Sequence, residues 1–160
     1  MAIEQFDVEV KTLEPLLVAG LRMQGHYQDS GKGFRQLGVQ LGRYTKGPPL
    51  TLIYDSEPND GDADFEPCMP LRKKVHSEEF DVRELDGGEF LCLKHRGPYQ
   101  ELGRSYEKLI RHAEEQGHRL VRPVREVYLK GPGMFFQGNP RKYLTEIQIR
   151  IKRDDAGGEA

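Results

Sequence analysis

Lys94-His95-Arg96-Gly97-Pro98-Tyr99 is the stretch on which the fold turns, because a shorter echo of it, Gly25-His26-Tyr27, stands in the first half of the chain. Each Gly-x-Tyr ends a mostly apolar run that reads as a strand. Each is followed by a segment of helical period, then by a short strand carrying a tyrosine, Tyr54 or Tyr128. A further strand closes each half with an acid, Glu66 in Asp-Phe-Glu-Pro and Glu146 in Thr-Glu-Ile. Order is kept and the spacing drifts only as loop insertions would make it drift. Two such modules in one chain pack together and leave a groove, which is where a binding site is expected.

Working outward, Phe6 to Leu13 and Leu16 to Tyr27 read as strands joined by a short turn at Glu14-Pro15. Ser30 is placed to cap a helix with apolar positions Phe34, Leu37, Leu41 and Tyr44. Gly33, Gly38 and Gly42 weaken that helix, so it must lean on packing, and Gly47-Pro48-Pro49 stops it. Thr51 to Tyr54 and Phe65 to Leu71 are strands on either side of a polar loop. In the second half, Phe80 to Leu85 and Glu89 to Arg96 flank Asp86-Gly87-Gly88, a hairpin signal. Pro98 opens the best helix of the chain, with Leu102, Tyr106, Leu109, Ile110 and Ala113 as its stripe and Gly117 as a left-handed stop. Val124 to Lys130 and the alternating Thr145, Ile147, Ile149 and Ile151 supply the last strands.

The fold class predicted is α+β: tandem strand-helix-strand-strand modules in a mainly antiparallel sheet, helices on one face and a cleft on the other. One domain covers residues 1–153, with halves of about 5–74 and 78–153, and 154–160 is expected to be a disordered tail. Alternation on the Val124 to Lys130 strand puts Val127 and Leu129 on one face, toward the helix, and Glu126 and Tyr128 on the other.

Composition narrows the function classes. With 24 Lys+Arg against 26 Asp+Glu the chain has no overall field to hold a polyanion, so direct nucleic-acid binding is not expected. No apolar run approaches the roughly 18 residues that span a bilayer, and no signal-peptide pattern opens the chain, so a cytoplasmic location is expected. Cys68 and Cys92 read as small buried hydrophobes rather than a disulfide.

Other chemistries do not fit. The glycines of Gly25 to Gly33 have the wrong spacing for a phosphate loop, and Gly33 follows Lys32 where a hydroxyl is needed. Gly103-Arg104-Ser105 is no nucleophile elbow, since Glu107 stands in the place of the second glycine and Ser105 lies within a helix. Cys92 with His95, and His112 with His118, lack metal-ligand geometry, so neither a metal nor any other cofactor is expected. His26, where the second half has Pro98, reads as a strand-end residue and a minor candidate base.

Lys94 to Tyr99, Pro123-Val124-Arg125-Glu126-Val127-Tyr128 and Leu144-Thr145-Glu146-Ile147-Gln148-Ile149, in this order and spacing, resemble the second half of the GyrI-like small-molecule-binding family. That family also supplies effector-binding domains to AraC-type and MerR-type multidrug regulators. Tyr54-Asp55, Asp64-Phe65-Glu66 and Pro70 extend the resemblance over roughly residues 6 to 152. It implies a ligand cleft in which Glu126 receives lipophilic cations, with Tyr27, Tyr54, Tyr99 and Tyr128 as walls offering cation–π and stacking contacts. The chain departs from the pattern in having no tryptophan. It also begins directly with the first module, so no helix-turn-helix domain is expected, and sensing would pass through a regulatory protein partner. The resemblance leaves two further readings open. One is hydrolysis of strained cyclopropane-type toxins with Glu126 as general base; the other is an interaction module that modulates DNA gyrase.

Overall fold

The computed structural model describes residues 6–57, 59–132 and 138–153. Among these residues nine strands join in one sheet: β1 (Glu9–Leu13), β2 (Leu16–Gly20), β3 (Met23–Gly25), β4 (Leu50–Ile53), β5 (Ala63–Pro70), β6 (Asp81–Leu85), β7 (Gly88–Arg96), β8 (His118–Lys130) and β9 (Leu144–Arg153). Helices α1 (Ser30–Leu41) and α2 (Leu102–Gln116) each follow a 3₁₀ turn, at Tyr27–Asp29 and Tyr99–Glu101. The strand order β1-β7-β9-β8-β4-β5-β2-β6, with β3 on β5, reads the same from either end once the halves are exchanged. The α+β class, the antiparallel pairing and the duplication are therefore as the sequence implied.

Two local signals mean something other than what was read from them. Glu14-Pro15 and Asp86-Gly87 do not make hairpins, because β1 pairs with β7 and β2 with β6. The register that runs from Glu9↔Cys92 to Leu13↔Gly88 resumes unchanged from Leu16↔Leu85 to Gly20↔Asp81. The chain thus forms one long antiparallel ribbon that bends where Glu14-Pro15 meets Asp86-Gly87. A Cβ on Gly87 would lie 2.4 Å from the Leu13 carbonyl oxygen, so the bend closes only around a glycine. Each half has lent its first strand to the other half's sheet.

Apolar residues fill both faces. Under α2, Leu102, Leu109 and Ala113 pack on Leu91, Leu93, Val124, Ile147, Ile149 and Ile151. Under α1, Leu37 and Leu41 pack on Ala19, Leu71 and Phe80. The opposite face is buried by curvature of the sheet, where Val18, Leu50, Leu52, Cys68, Leu85 and Val127 meet with no helix over them. Each of the Val, Leu, Ile and Phe side chains among them contributes about 1.5–3 kcal/mol on burial.

Both free cysteines are buried. Ser30 does not cap α1; it is the first helical residue, Asp29 stands at the cap, and no side chain bonds there. Gly117 does end α2 in the left-handed conformation, with φ 72°. The expected tail, residues 154–160, lies outside the described residues. No helix among the described residues is long and apolar enough to cross a membrane.

Candidate functional site

β8 and β4 form the seam between the halves, and Glu126 stands on it. Its register partners are Thr51 of β4 and Ile147 of β9. Ile147 packs beneath α2, so Glu126 shares the helix-bearing face. This reverses the expected orientation of β8: Glu126 and Tyr128 face the helices, and Val127 faces the curled interior. The cleft expected on the helix-free face is not the side to which Glu126 points. The physical reason is that the sheet has an apolar core on each side, so an apolar position does not by itself identify the helical layer.

The Glu126 carboxylate is held by phenols. The Tyr106 hydroxyl, reaching down from α2, donates to its Oε2. The Tyr128 hydroxyl lies 3.4 Å from its Oε1 and 2.9 Å from Thr51 Oγ1. Glu126 is enclosed by protein yet keeps part of its surface open, as does Tyr128. Burial raises the Glu126 pKa above the ordinary carboxylate range, and the bonds from Tyr106 and Tyr128 offset part of that rise. Burial also pushes the Tyr106 and Tyr128 phenols well above their usual value, and that of Tyr99 up to about 12.

The aromatic surround comes from both halves. Tyr99 meets Tyr128 edge-on at 5.6 Å and Tyr143 at 5.1 Å between ring centroids, and Phe34 of α1 meets Tyr128 edge-on at 6.0 Å. Tyr27 lies against Phe65 at 5.4 Å, and after burial the carboxylates Asp55 and Glu126 are what raise its pKa. Tyr27 and Tyr99 open the two helical segments at pseudo-equivalent places, each two residues after a glycine of positive φ, Gly25 at 141° and Gly97 at 129°. The structure therefore brings Tyr27, Tyr99 and Tyr128 around Glu126.

Tyr54 is elsewhere. Its hydroxyl donates to Glu66 at 2.6 Å on the helix-free face, and the Arg22 guanidinium stacks 3.5 Å from its ring centroid. The correspondence of Tyr54 with Tyr128 fails by one residue, which in a strand means the opposite face. Tyr106, Phe34 and Thr51 are the members that the sequence reading did not assign to the site. A tyrosine in the middle of an apolar helical stripe was the available signal, since a buried phenol needs a hydrogen-bond partner. His26 is exposed at the rim, 3.7 Å from Asp60.

His95 of β7 fixes the start of α2. Its Nε2 lies 3.2 Å from the Pro98 carbonyl oxygen, so the proton belongs there, and Nδ1 accepts from the Ser105 hydroxyl at 2.8 Å. Those two anchors immediately precede Tyr99 and Tyr106. Among the described residues no group of three His, Cys, Asp or Glu could hold a metal ion.

Glu66 and Glu146, the other acids singled out in the sequence, are 2% and 5% exposed. Each has a cation of its own. Arg83 grips Glu66 with two bonds of 2.8 Å, and Lys11 reaches Glu146 at 2.6 Å. Among the described residues, no basic side chain pairs with Glu126 in this way; its partners are phenols.

A curled antiparallel sheet bearing two helices, with a seam acid ringed by phenols, has the form of a small-molecule-binding domain. The chain belongs to the GyrI-like small molecule binding domain family, whose model matches residues 6–152. The EcmrR C-terminal domain superposes with a TM-score of 0.80 at 20% identity, over 92% of this chain and 98% of that one. Against EcmrR in its complex with DNA the TM-score is 0.81 at 20% identity, over 94% of this chain, which spans 59% of that protein's length. A hydrolase from Listeria innocua gives 0.67 at 15% identity over 94% of each chain. SAV2435, solved bound to tetraphenylphosphonium, gives 0.59 at 17% identity over 91% of this chain and 94% of that one. Among curated proteins no sequence matches.

Proposed function

We propose that this domain binds small, amphipathic, cationic aromatic compounds between α1 and α2, with Glu126 as the counter-charge and Tyr27, Tyr99, Tyr106 and Tyr128 as the surrounding rings. One observation carries the reading: of the three sheet carboxylates, Glu126 alone has no cation of the protein among its described partners, which are phenols, while Arg83 holds Glu66 and Lys11 holds Glu146. A desolvated carboxylate gains from an arriving positive charge, and a flat apolar cation also satisfies the rings through cation–π contact of about 0.5–2 kcal/mol each. Ring contacts set no unique donor pattern, so related cations are accepted together. The likeness to SAV2435 supports the same chemistry, and the likeness to EcmrR supports a sensing role in which the bound state is read by a regulator.

Titration with tetraphenylphosphonium and with neutral triphenylphosphine oxide tests this. Glu126→Gln is expected to weaken the cation about tenfold or more, which is about 1.4 kcal/mol, and to leave the neutral compound nearly unchanged. Equal losses for both, or no binding of the cation by the unmodified protein, reject the proposal.

A second reading has one observation in its favour: the acid with a raised pKa lies within reach of two tyrosine hydroxyls, the parts needed for a general base and for steadying a leaving oxygen. Under that reading a cyclopropane-bearing electrophile is consumed by the unmodified protein. Turnover abolished in Glu126→Gln, followed by mass spectrometry, would put hydrolysis in place of binding alone.

A further inference from the structure

Beyond the C-terminal end of α1, away from Glu126, the chain folds into a short ribbon dense in positive charge. The Lys46 amide donates to the Pro70 carbonyl and the Arg72 amide to the Tyr44 carbonyl, both at 2.9 Å, and Thr45 bridges Leu71. Arg43, Lys46, Arg72, Lys73 and Lys74 are exposed on this frame. The Arg43 guanidinium and the Lys73 ammonium each lie 5.1 Å from the centroid of the Tyr44 ring, so two like charges are held around one aromatic. No carboxylate pairs with any of these five among the described ion pairs. A cation after a helix C-terminus is favoured by the helix dipole, which accounts for Arg43 and Lys46. It does not account for three consecutive cations at 72–74, which lie beyond the final turn of α1.

Beside the ribbon runs an open groove of about 480 Å³, bordered by Lys74, Val75, His76, Phe80, Asp81 and Val82. Val82 belongs to β6, which pairs with β2 and ends the strand order among the described residues. Charge and shape here ask for different things. The five cations call for carboxylates or phosphates. The groove beside them, with half-buried Val75 and Val82 on its border, Glu78, Glu79 and Asp81 close by in sequence and a net charge of −2 on the chain, disfavours a long uniform polyanion such as nucleic acid.

We infer that this ribbon and groove form a docking surface for a short acidic segment of a partner protein, its carboxylates on Arg43, Lys46 and Arg72 to Lys74 and an apolar side chain between Val75 and Val82. Recognition of this kind gains its rate and register from charge and its grip from the buried anchor. The surface shares no residue with the proposed Glu126 site, so it can be occupied whether or not a ligand is bound there.

The test is fluorescence anisotropy with a labelled twelve-residue peptide of alternating glutamate and leucine, against the same peptide with serine for leucine and a labelled thymidine 12-mer. The unmodified protein is expected to bind the Glu/Leu peptide in a salt-dependent manner, at least tenfold tighter than either control. Lys73→Glu with Lys74→Glu, in a protein whose thermal midpoint is kept, is expected to weaken the peptide at least tenfold. Val82→Glu is expected to do the same and serves as an independent check. Absence of peptide binding, peptide binding unaffected by both variants, or thymidine bound as tightly as the peptide would each overturn the inference.

Discussion

Glu126, Glu66 and Glu146 are acids drawn into the same sheet, and what separates them is the partner each has. Burial works to raise the Glu66 pKa, but the Arg83 and Tyr54 bonds outweigh it and hold the carboxyl below its ordinary value. Glu126 has the Tyr106 and Tyr128 bonds but no cation beside them, and burial wins. A carboxyl whose folded pKa is raised binds its proton more tightly when folded. Its contribution to stability therefore falls as pH climbs from the ordinary carboxylate range through the raised value. Glu126→Gln should accordingly be more stable than the unmodified protein at pH 7, with the difference vanishing in acid; urea midpoints across pH report this, and a less stable variant at pH 7 contradicts it. A bound cation favours the ionised form, so affinity for tetraphenylphosphonium should rise with pH through the same range. Tyr106→Phe removes a bond that favours the ionised form and should move that affinity curve to higher pH, which calorimetric titration at several pH values would detect.

Among the elements, the bent ribbon is where local signals and tertiary outcome part. Asp86-Gly87-Gly88 has the composition of a tight turn, and composition cannot tell a chain that folds back from one that passes a crossing point. The need for glycine is real, but its origin is the Leu13 carbonyl rather than a hairpin. Gly87→Ala should therefore cost about 1–3 kcal/mol through overpacking, read from urea unfolding, whereas a turn glycine of ordinary φ would lose far less. Both helices and most strands were otherwise legible because periodicity and stop signals are local, as Leu37, Leu109 and Gly117 illustrate, although the run Leu16 to Tyr27 breaks into β2, β3 and a 3₁₀ turn. The orientation of β8 was not, because sheet curvature buries Val127 on one face just as α2 buries the isoleucines of β9 on the other. Glu126 was visible as a candidate through its motif. Tyr106 was hidden in a helical stripe that reads as core.

At the scale of the molecule, the exchange of first strands is secured by two reciprocal ion pairs. Arg83, on a strand of the second half, holds Glu66 of the first; Lys11, on a strand of the first, holds Glu146 of the second. Removing one partner leaves a carboxylate in the sheet without its cation. Arg83→Met should cost roughly 3 kcal/mol, at the low end for a buried pair because the guanidinium is partly solvated. Fragments 6–74 and 78–153, made separately, should each lack a cooperative thermal transition by circular dichroism and recover one when mixed. Cooperative unfolding of either alone would show that the lent strands are dispensable.

The crossing ribbon also fixes when the protein can mature as it is made. β1 leaves the ribosome before its hydrogen-bonding partner, residues 88–92, and β2 must wait for residues 81–85 along one of its edges. Closing so long a loop is slow compared with forming α1. The nascent first half therefore travels with an open apolar edge through much of its synthesis, and the emergence of β7 is the moment at which that exposure ends.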